Sequence, residues 1–404
     1  MTKTANLSAR RYDLDWLRII AILIVLIFHV GMFFNDWDWH IKNNITSDAF
    51  GYVMIWLHYW RLPLLLFISG AGTIYASAKR NEKQFALERA KRLLIPLVFS
   101  MFVIVPPQIY FERISDYSSY LQFYPTVFEF VPYPDGGSLS WHHMWFVLYL
   151  FCYSIIALPL ISFLKSDRSL NFLTKLEIFF SNKWSYLTYI IPIILTQVLL
   201  RPYFPDETHS LFNDWAYFTF LFMFFLAGMI VASSDKLFES LQNNRRFYFS
   251  VALVSLGIME LLYTVSWEEL QPYLSVDLEI IWGVNSVVVA WAWVITVVGY
   301  GRKYLNKNSG VLKFSNEGIY PFYILHQTVI IALAYPMINW ETSILLKYCL
   351  LAFLSFTVTV AIYVKFIKPF NTMRFLFGMK PKPKPQESNQ KKQSEYIDIP
   401  IEII

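Results

Sequence analysis

Charge is what this chain has least of: Asp, Glu, Lys and Arg make up 16% of its 404 residues, against 56% hydrophobic and 19% aromatic. That is too little polar surface to coat a soluble globule of this size, so a polytopic membrane protein is expected. Cysteine is nearly absent as well. Cys152 and Cys349 each lie inside an apolar segment, so neither a disulfide framework nor a thiolate metal site can be assembled, and no metal site is expected. GxSxG, HExxH and Walker-type phosphate loops are missing, which removes support for the standard serine-hydrolase, zinc-protease and NTPase chemistries. The net charge of +5 is modest and implies no nucleic-acid partner.

Long apolar runs are what the chain does have. They fall at 17–34, 50–76, 93–111, 143–164 and 185–200 in the first half, and at 215–232, 247–265, 280–300, 318–337 and 343–366 in the second. The run at 185–200 is short, and Pro106-Pro107 is expected to kink or end the third. Lys and Arg follow the even-numbered runs, as at Lys79, Arg80, Lys165, Arg245, Arg302 and Lys365, whereas Asp and Glu follow the odd ones, as at Asp36, Glu129, Asp135, Glu207 and Glu268. Positive charge stays inside. The expected fold is therefore all-α: about ten transmembrane helices in the lipid bilayer, with both termini cytoplasmic. No signal-cleavage pattern precedes the first run, so a cytoplasmic leader (1–10) is expected to lead into the membrane domain (11–370). The remainder (371–404), with its Lys380-Pro381-Lys382-Pro383-Lys384-Pro385 stretch, reads as a basic disordered cytoplasmic tail.

Polar groups inside such runs are expensive and mark candidate sites. Arg18 stands at the entrance of the first run and His29 eleven positions further in. On a helix that step advances about 1100°, three turns plus about 20°, and rises about 16 Å, so both side chains share one face at different depths. An arginine at a cytoplasmic helix end also snorkels to lipid phosphate and pairs with a neighbour such as Asp15. That alternative leaves the imidazole on the same face without a purpose. Further polar residues enter apolar runs at His58, Arg61, His142, His143, His326 and Gln327, with Glu260 and Lys347 lacking an evident partner. His142 equally suits an interfacial aromatic belt, and His326 falls about 12 Å up its helix, near mid-bilayer. Glu88-Arg89-Ala90-Lys91-Arg92 is ordinary positive-inside charge or, with Arg18, a cradle for a polyanionic head such as nucleotide phosphates. The Tyr- and Phe-rich stretch at 113–142 suits sugar rings or an ordinary interfacial loop.

Taken together, Arg18-x10-His29, Phe67-Ile68-Ser69-Gly70, Arg89-x-x-Arg92 with Leu94-Ile95-Pro96, His143-Met144-Trp145-Phe146 and Tyr323-Ile324-Leu325-His326-Gln327 resemble the acyltransferase-3 family of multipass bacterial membrane acyltransferases. The opening Tyr12-Asp13-Leu14-Asp15-Trp16-Leu17-Arg18 resembles most the branch that succinylates periplasmic glucans. The resemblance implies acyl-CoA as a cytoplasmic donor substrate, no tightly bound cofactor, and a glycan or other hydroxyl-bearing acceptor outside the inner membrane. It also implies catalytic roles for Arg18 and His29, and donor binding by Arg18, Arg89 and Arg92. His143, His326 and Trp145 become candidates for orienting acceptor or thioester. A neutral imidazole at position 29 would deprotonate the acceptor hydroxyl or take the acyl group itself. The rival readings are a transporter or flippase for lipid-linked sugar or acyl precursors, which also uses buried His, Arg and Glu, and a scaffold of an envelope-polymer assembly.

Overall fold

The computed structural model describes residues 10–134 and 136–382; the leader up to residue 9, Asp135 and the 383–404 part of the expected tail lie outside the described residues. The helices follow in the order α1 (Tyr12–Met32), α2 (Asp48–Ser77), α3 (Glu82–Val103), α4 (Pro106–Glu112), α5 (Tyr120–Phe123), α6 (Trp145–Ile156), α7 (Leu158–Lys165) and α8 (Ser169–Phe179). They continue with α9 (Ile190–Leu200), α10 (Trp215–Ala232), α11 (Asp235–Thr264), α12 (Trp267–Leu270), α13 (Leu278–Tyr304), α14 (Gly310–Ala334), α15 (Ile344–Ile362) and α16 (Asn371–Leu376). Extended structure among the described residues is confined to one isolated bridge, Pro132 to Leu139.

Every apolar run read from the sequence coincides with helix, but not every one crosses alone. Among the described residues, eight helical stretches are long and apolar enough to span a membrane. A ninth forms if α6 and α7 make one span bent by 52°, the bend falling where Pro159 opens α7 and takes away a backbone donor. The stretch Ser185–Leu200 is the short one. Pro106 acts as the sequence suggests: α3 ends at Val103 and α4 restarts with proline in its first turn, where a missing N–H costs nothing.

Polar contacts sort the helix ends into two sets. Arg11 before α1 pairs with Asp235 at the start of α11, and Arg302 at the end of α13 reaches the same carboxylate. Lys165 at the end of α7 donates to the Ser77 carbonyl that closes α2. Arg374 of α16 binds Glu317 near the start of α14 at 2.8 Å, so the first part of the expected tail is a packed helix, and the boundary at 371 falls at its edge. These are the ends that carry the Lys- and Arg-rich loops. Both described chain ends therefore lie at one end of the bundle. The opposite end holds His58 with Glu207 and His40 with Glu112. It also holds a small aromatic core of its own, in which Val105, Ile109, Phe123 and Val127 are enclosed by Tyr110, Tyr117, Tyr120, Tyr124 and Tyr133. Many rings of the 113–142 stretch thus pack against one another, whereas Phe128 and Phe130 remain exposed.

The Phe-Ile-Ser-Gly motif has a packing reason. α2 and α10 cross with Gly70 against the backbone of Phe225, and Gly228 against the backbone of Phe67. A Cβ at either position would overlap a carbonyl oxygen. Such close approach is how helices associate where no hydrophobic effect drives them together. Gly70→Ala and Gly228→Ala are each expected to cost about 1–3 kcal/mol through overpacking. The check is residual monodisperse protein after heating in detergent. Gly257→Ala, where an added Cβ meets nothing within 4 Å, is expected to behave as wild type.

Candidate active site

α1 and α14 run parallel and meet at two levels. Near the basic end, the Arg18 guanidinium donates from Nη2 to the side-chain oxygen of Asn316 and lies 3.5 Å from Asp15. Its Nε and Nη1 are buried without a hydrogen-bond partner, and only 6% of the residue is exposed. Eleven residues along α1 and ten along α14, His29 Nδ1 lies 2.8 Å from His326 Nε2. The imidazole rings stack with centroids 5.0 Å apart and planes 9° from parallel. The shared face expected from the spacing is therefore the face α1 turns toward α14.

The hydrogen bonds fix the tautomers. His326 Nδ1 faces the Tyr323 carbonyl oxygen, which only accepts, so Nδ1 carries the proton and Nε2 is bare. His29 Nδ1 must then donate to that Nε2. In the neutral ring the remaining nitrogen, His29 Nε2, holds a free lone pair. His326 is fully buried, and His29 only half-buried, so His29 presents the accessible nitrogen of the pair.

His143 joins this group from the start of the fourth span. Its ring stands edge-on to His326 with centroids 5.5 Å apart. Its Nε2 donates to the Ile324 carbonyl at 3.0 Å, leaving Nδ1 to accept from Gln108 at 3.3 Å. Tyr323 closes the loop by donating its hydroxyl to the His143 carbonyl. Gln108 also donates to Thr328 and accepts from Gln327, which in turn donates to His40. Of these polar residues the sequence reading missed Gln108, Thr328, His40 and Asn316. Gln108 carried a usable signal, a polar side chain directly after Pro106-Pro107 in an apolar run, whereas Asn316 and His40 sit in ordinary polar contexts.

The other candidates lie elsewhere. Arg89 is buried on α3 and donates to Thr73 of α2 at 3.0 Å, while Arg92 shares Glu88 with Arg80. Trp145 belongs to a different aromatic group: it stacks on His209 at 4.3 Å and meets Tyr149 and Tyr217. Lys347, for which the sequence offered no partner, donates to Asn43 at 2.8 Å. Glu260 keeps one buried carboxylate oxygen without a partner.

A cavity of about 700 Å³ opens at the acidic end, with Tyr59, Tyr217 and Trp282 beside His58, Arg201 and Glu207. Burial pushes the Glu207 carboxyl up, but His58 and Arg201 outweigh it and hold the group down at about 2. Burial pulls the neighbouring His209 imidazole down to about 4. The cavity and the histidine pair share Phe28 as a neighbour: its ring lies 5.8 Å from that of His29 and 6.4 Å from that of His58. The Arg61 guanidinium sits 3.4 Å over the Phe28 face with its Nε buried and unpartnered.

Known proteins give this geometry a context. A sequence model described as an acyltransferase domain matches residues 11–364. A protein of Salmonella heidelberg (strain SL476) named glucans biosynthesis protein C is 21% identical over 94% of this chain and 97% of its own length. Its counterpart in Salmonella schwarzengrund (strain CVM19633) is 22% identical over the same shares. No solved structure matches the chain. The matched residues run from Arg11 through the whole of α15 and include both levels of the α1–α14 contact, and on that match the chain belongs to the acyltransferase-3 family and is an acyltransferase.

Proposed function

We propose that the protein moves an acyl group from acyl-CoA, bound at the Lys- and Arg-rich cytoplasmic end, to a hydroxyl of an extracytoplasmic glycan at the bacterial inner membrane. The observation that carries this reading is the tautomer chain from the Tyr323 carbonyl through His326 to His29, which leaves a bare, accessible nitrogen inside the bundle. The similarity in sequence to proteins named for glucan biosynthesis supports a glycan as the acceptor.

In this mechanism His29 Nε2 takes the proton of the acceptor hydroxyl as its oxygen attacks the thioester carbonyl. The new C–O bond forms, the C–S bond breaks, and the imidazolium returns the proton to the departing CoA thiolate. His326 accepts from Nδ1 throughout and so stabilises the positive charge that develops on His29. Arg18, with two buried nitrogens unpartnered, is suited to a phosphate oxygen of the donor. Arg89 and Arg92 extend the cationic surface at the same end. The pantetheine arm covers the rise of about 16 Å between Arg18 and His29. The aromatic and charged cavity beside Trp282 suits the acceptor.

His29→Ala is expected to lower transfer of labelled acyl groups to glycan in proteoliposomes by about 10²–10⁴-fold, the usual worth of a positioned base, with the protein still monodisperse in detergent. Undiminished transfer in that variant would refute the assignment. Arg18→Lys is expected to raise KM for acyl-CoA more than it lowers kcat, because an ammonium does not replace the guanidinium fork. An unchanged KM would remove Arg18 from the donor site. Mass spectrometry of envelope glycans from cells with and without the protein is expected to differ by one acyl substituent. Cargo moved unchanged across the membrane would instead identify a carrier.

A further inference from the structure

Three segments distant in sequence converge at the end of the bundle opposite Arg18. The loop after α1 brings His40, the last residue of α4 is Glu112, and the turn into α6 brings His142. One ligand atom from each lies within 4.8 Å of the other two. His40 Nδ1 is 2.8 Å from Glu112 Oε2, and the two imidazole rings stack with centroids 4.7 Å apart.

Each of the three side chains is also held from behind. Gln327 Nε2 lies 3.0 Å from His40 Nε2, Ser140 Oγ 2.7 Å from His142 Nδ1, and the Tyr133 hydroxyl donates to Glu112 Oε1 at 2.7 Å. Metal-ligating histidines and carboxylates are oriented in this way, through hydrogen bonds on the atoms that do not touch the ion. A His40–Glu112 ion pair by itself accounts for two of the three residues. It does not account for His142, whose Nε2 is buried with no hydrogen-bond partner. Leaving a buried nitrogen unsatisfied is costly. The backbone at His142 is moreover held in the left-handed region, at φ 38°, where a residue other than glycine is uncommon and strain points to a role.

We propose that His40, Glu112 and His142 form a binding site for one divalent transition-metal ion, zinc foremost, with water in the remaining position. Two imidazoles and a carboxylate suit a borderline ion of this kind. Binding needs a bare Nδ1 on His40, so its proton moves to Nε2 and the Gln327 amide turns its oxygen to accept it, giving up its hydrogen bond to Gln108 Oε1. The ion clamps the α1 loop, the end of α4 and the start of α6 together. His142 precedes His143 and Gln327 follows His326, so the clamp fixes the two segments that flank the His29–His326 pair.

The test uses the full chain in nanodiscs, stripped with EDTA and titrated with zinc sulfate, with metal content read by inductively coupled plasma mass spectrometry. About one zinc per chain is expected in the wild type, with a thermal midpoint that rises on reloading. Cobalt(II) in its place is expected to give visible d–d absorption that His142→Ala abolishes. Ser140→Ala, which leaves all three ligands in place, is expected to weaken zinc binding by about 10–100-fold. The site is overturned if the wild type binds no zinc and gives no cobalt spectrum. It is overturned equally if His40→Ala, Glu112→Gln and His142→Ala, each monodisperse, bind as much metal as the wild type. Metal content is read without an acyl-transfer assay, so this site and the acyl-transfer mechanism fail separately.

Discussion

One hydrogen bond, from His29 Nδ1 to His326 Nε2, ties the fold to the chemistry proposed for it. It joins two helices whose sequence positions are 297 residues apart, at a depth where an unpaired imidazole would be costly. The same bond decides which nitrogen of His29 is left over. The Tyr323 carbonyl sets the proton on His326, His326 sets the proton on His29, and Nε2 of His29 remains as the one lone pair of the pair not already spoken for. The crossing of α2 and α10 at Gly70 and Gly228 supports this arrangement from the side, because α2 packs between α1 and α10 in the bundle interior.

The polarity of the bundle gives the pair a direction. Arg18, Arg89 and Arg92 each lie at the end with the Lys- and Arg-rich loops, on separate partners, whereas the cavity with Trp282, Glu207 and Arg201 and the His40–Glu112–His142 cluster lie at the other. His29 stands between. The proposed transfer from an anionic donor to a glycan uses this separation of a basic end from an aromatic cavity, with His29 between them. Arg61, cationic and laid on the Phe28 ring that neighbours His29, adds positive charge beside the histidine pair.

Much of the membrane fold was legible because its signal is local. Apolar runs, the alternation of basic and acidic loops and Pro106-Pro107 fix helices within a few residues of chain, whereas the bend at Pro159 inside the run at 143–164 went unread. The shared face of Arg18 and His29 was legible for the same reason, since it follows from helix geometry alone. What faces that side was not legible. Asn316 and His326 come from a helix almost three hundred residues away, and pairing at such distance depends on packing. Trp145 shows the converse: it stands two residues from His143, yet its ring stacks on His209. Lys347 similarly finds Asn43 only through the fold. The metal-ligand cluster was invisible because its three residues come from separate segments with no fixed spacing, and sequence motifs for metals rely on spacing.

The most direct test of the central claim is a structure of the protein in a nanodisc with a non-hydrolysable thioether analogue of acyl-CoA. A phosphate of the donor is expected on the Arg18 guanidinium, with the acyl end of the analogue within hydrogen-bond reach of His29 Nε2. A donor bound away from α1, or an acyl chain that ends on the far side of His326 from His29, would contradict the claim.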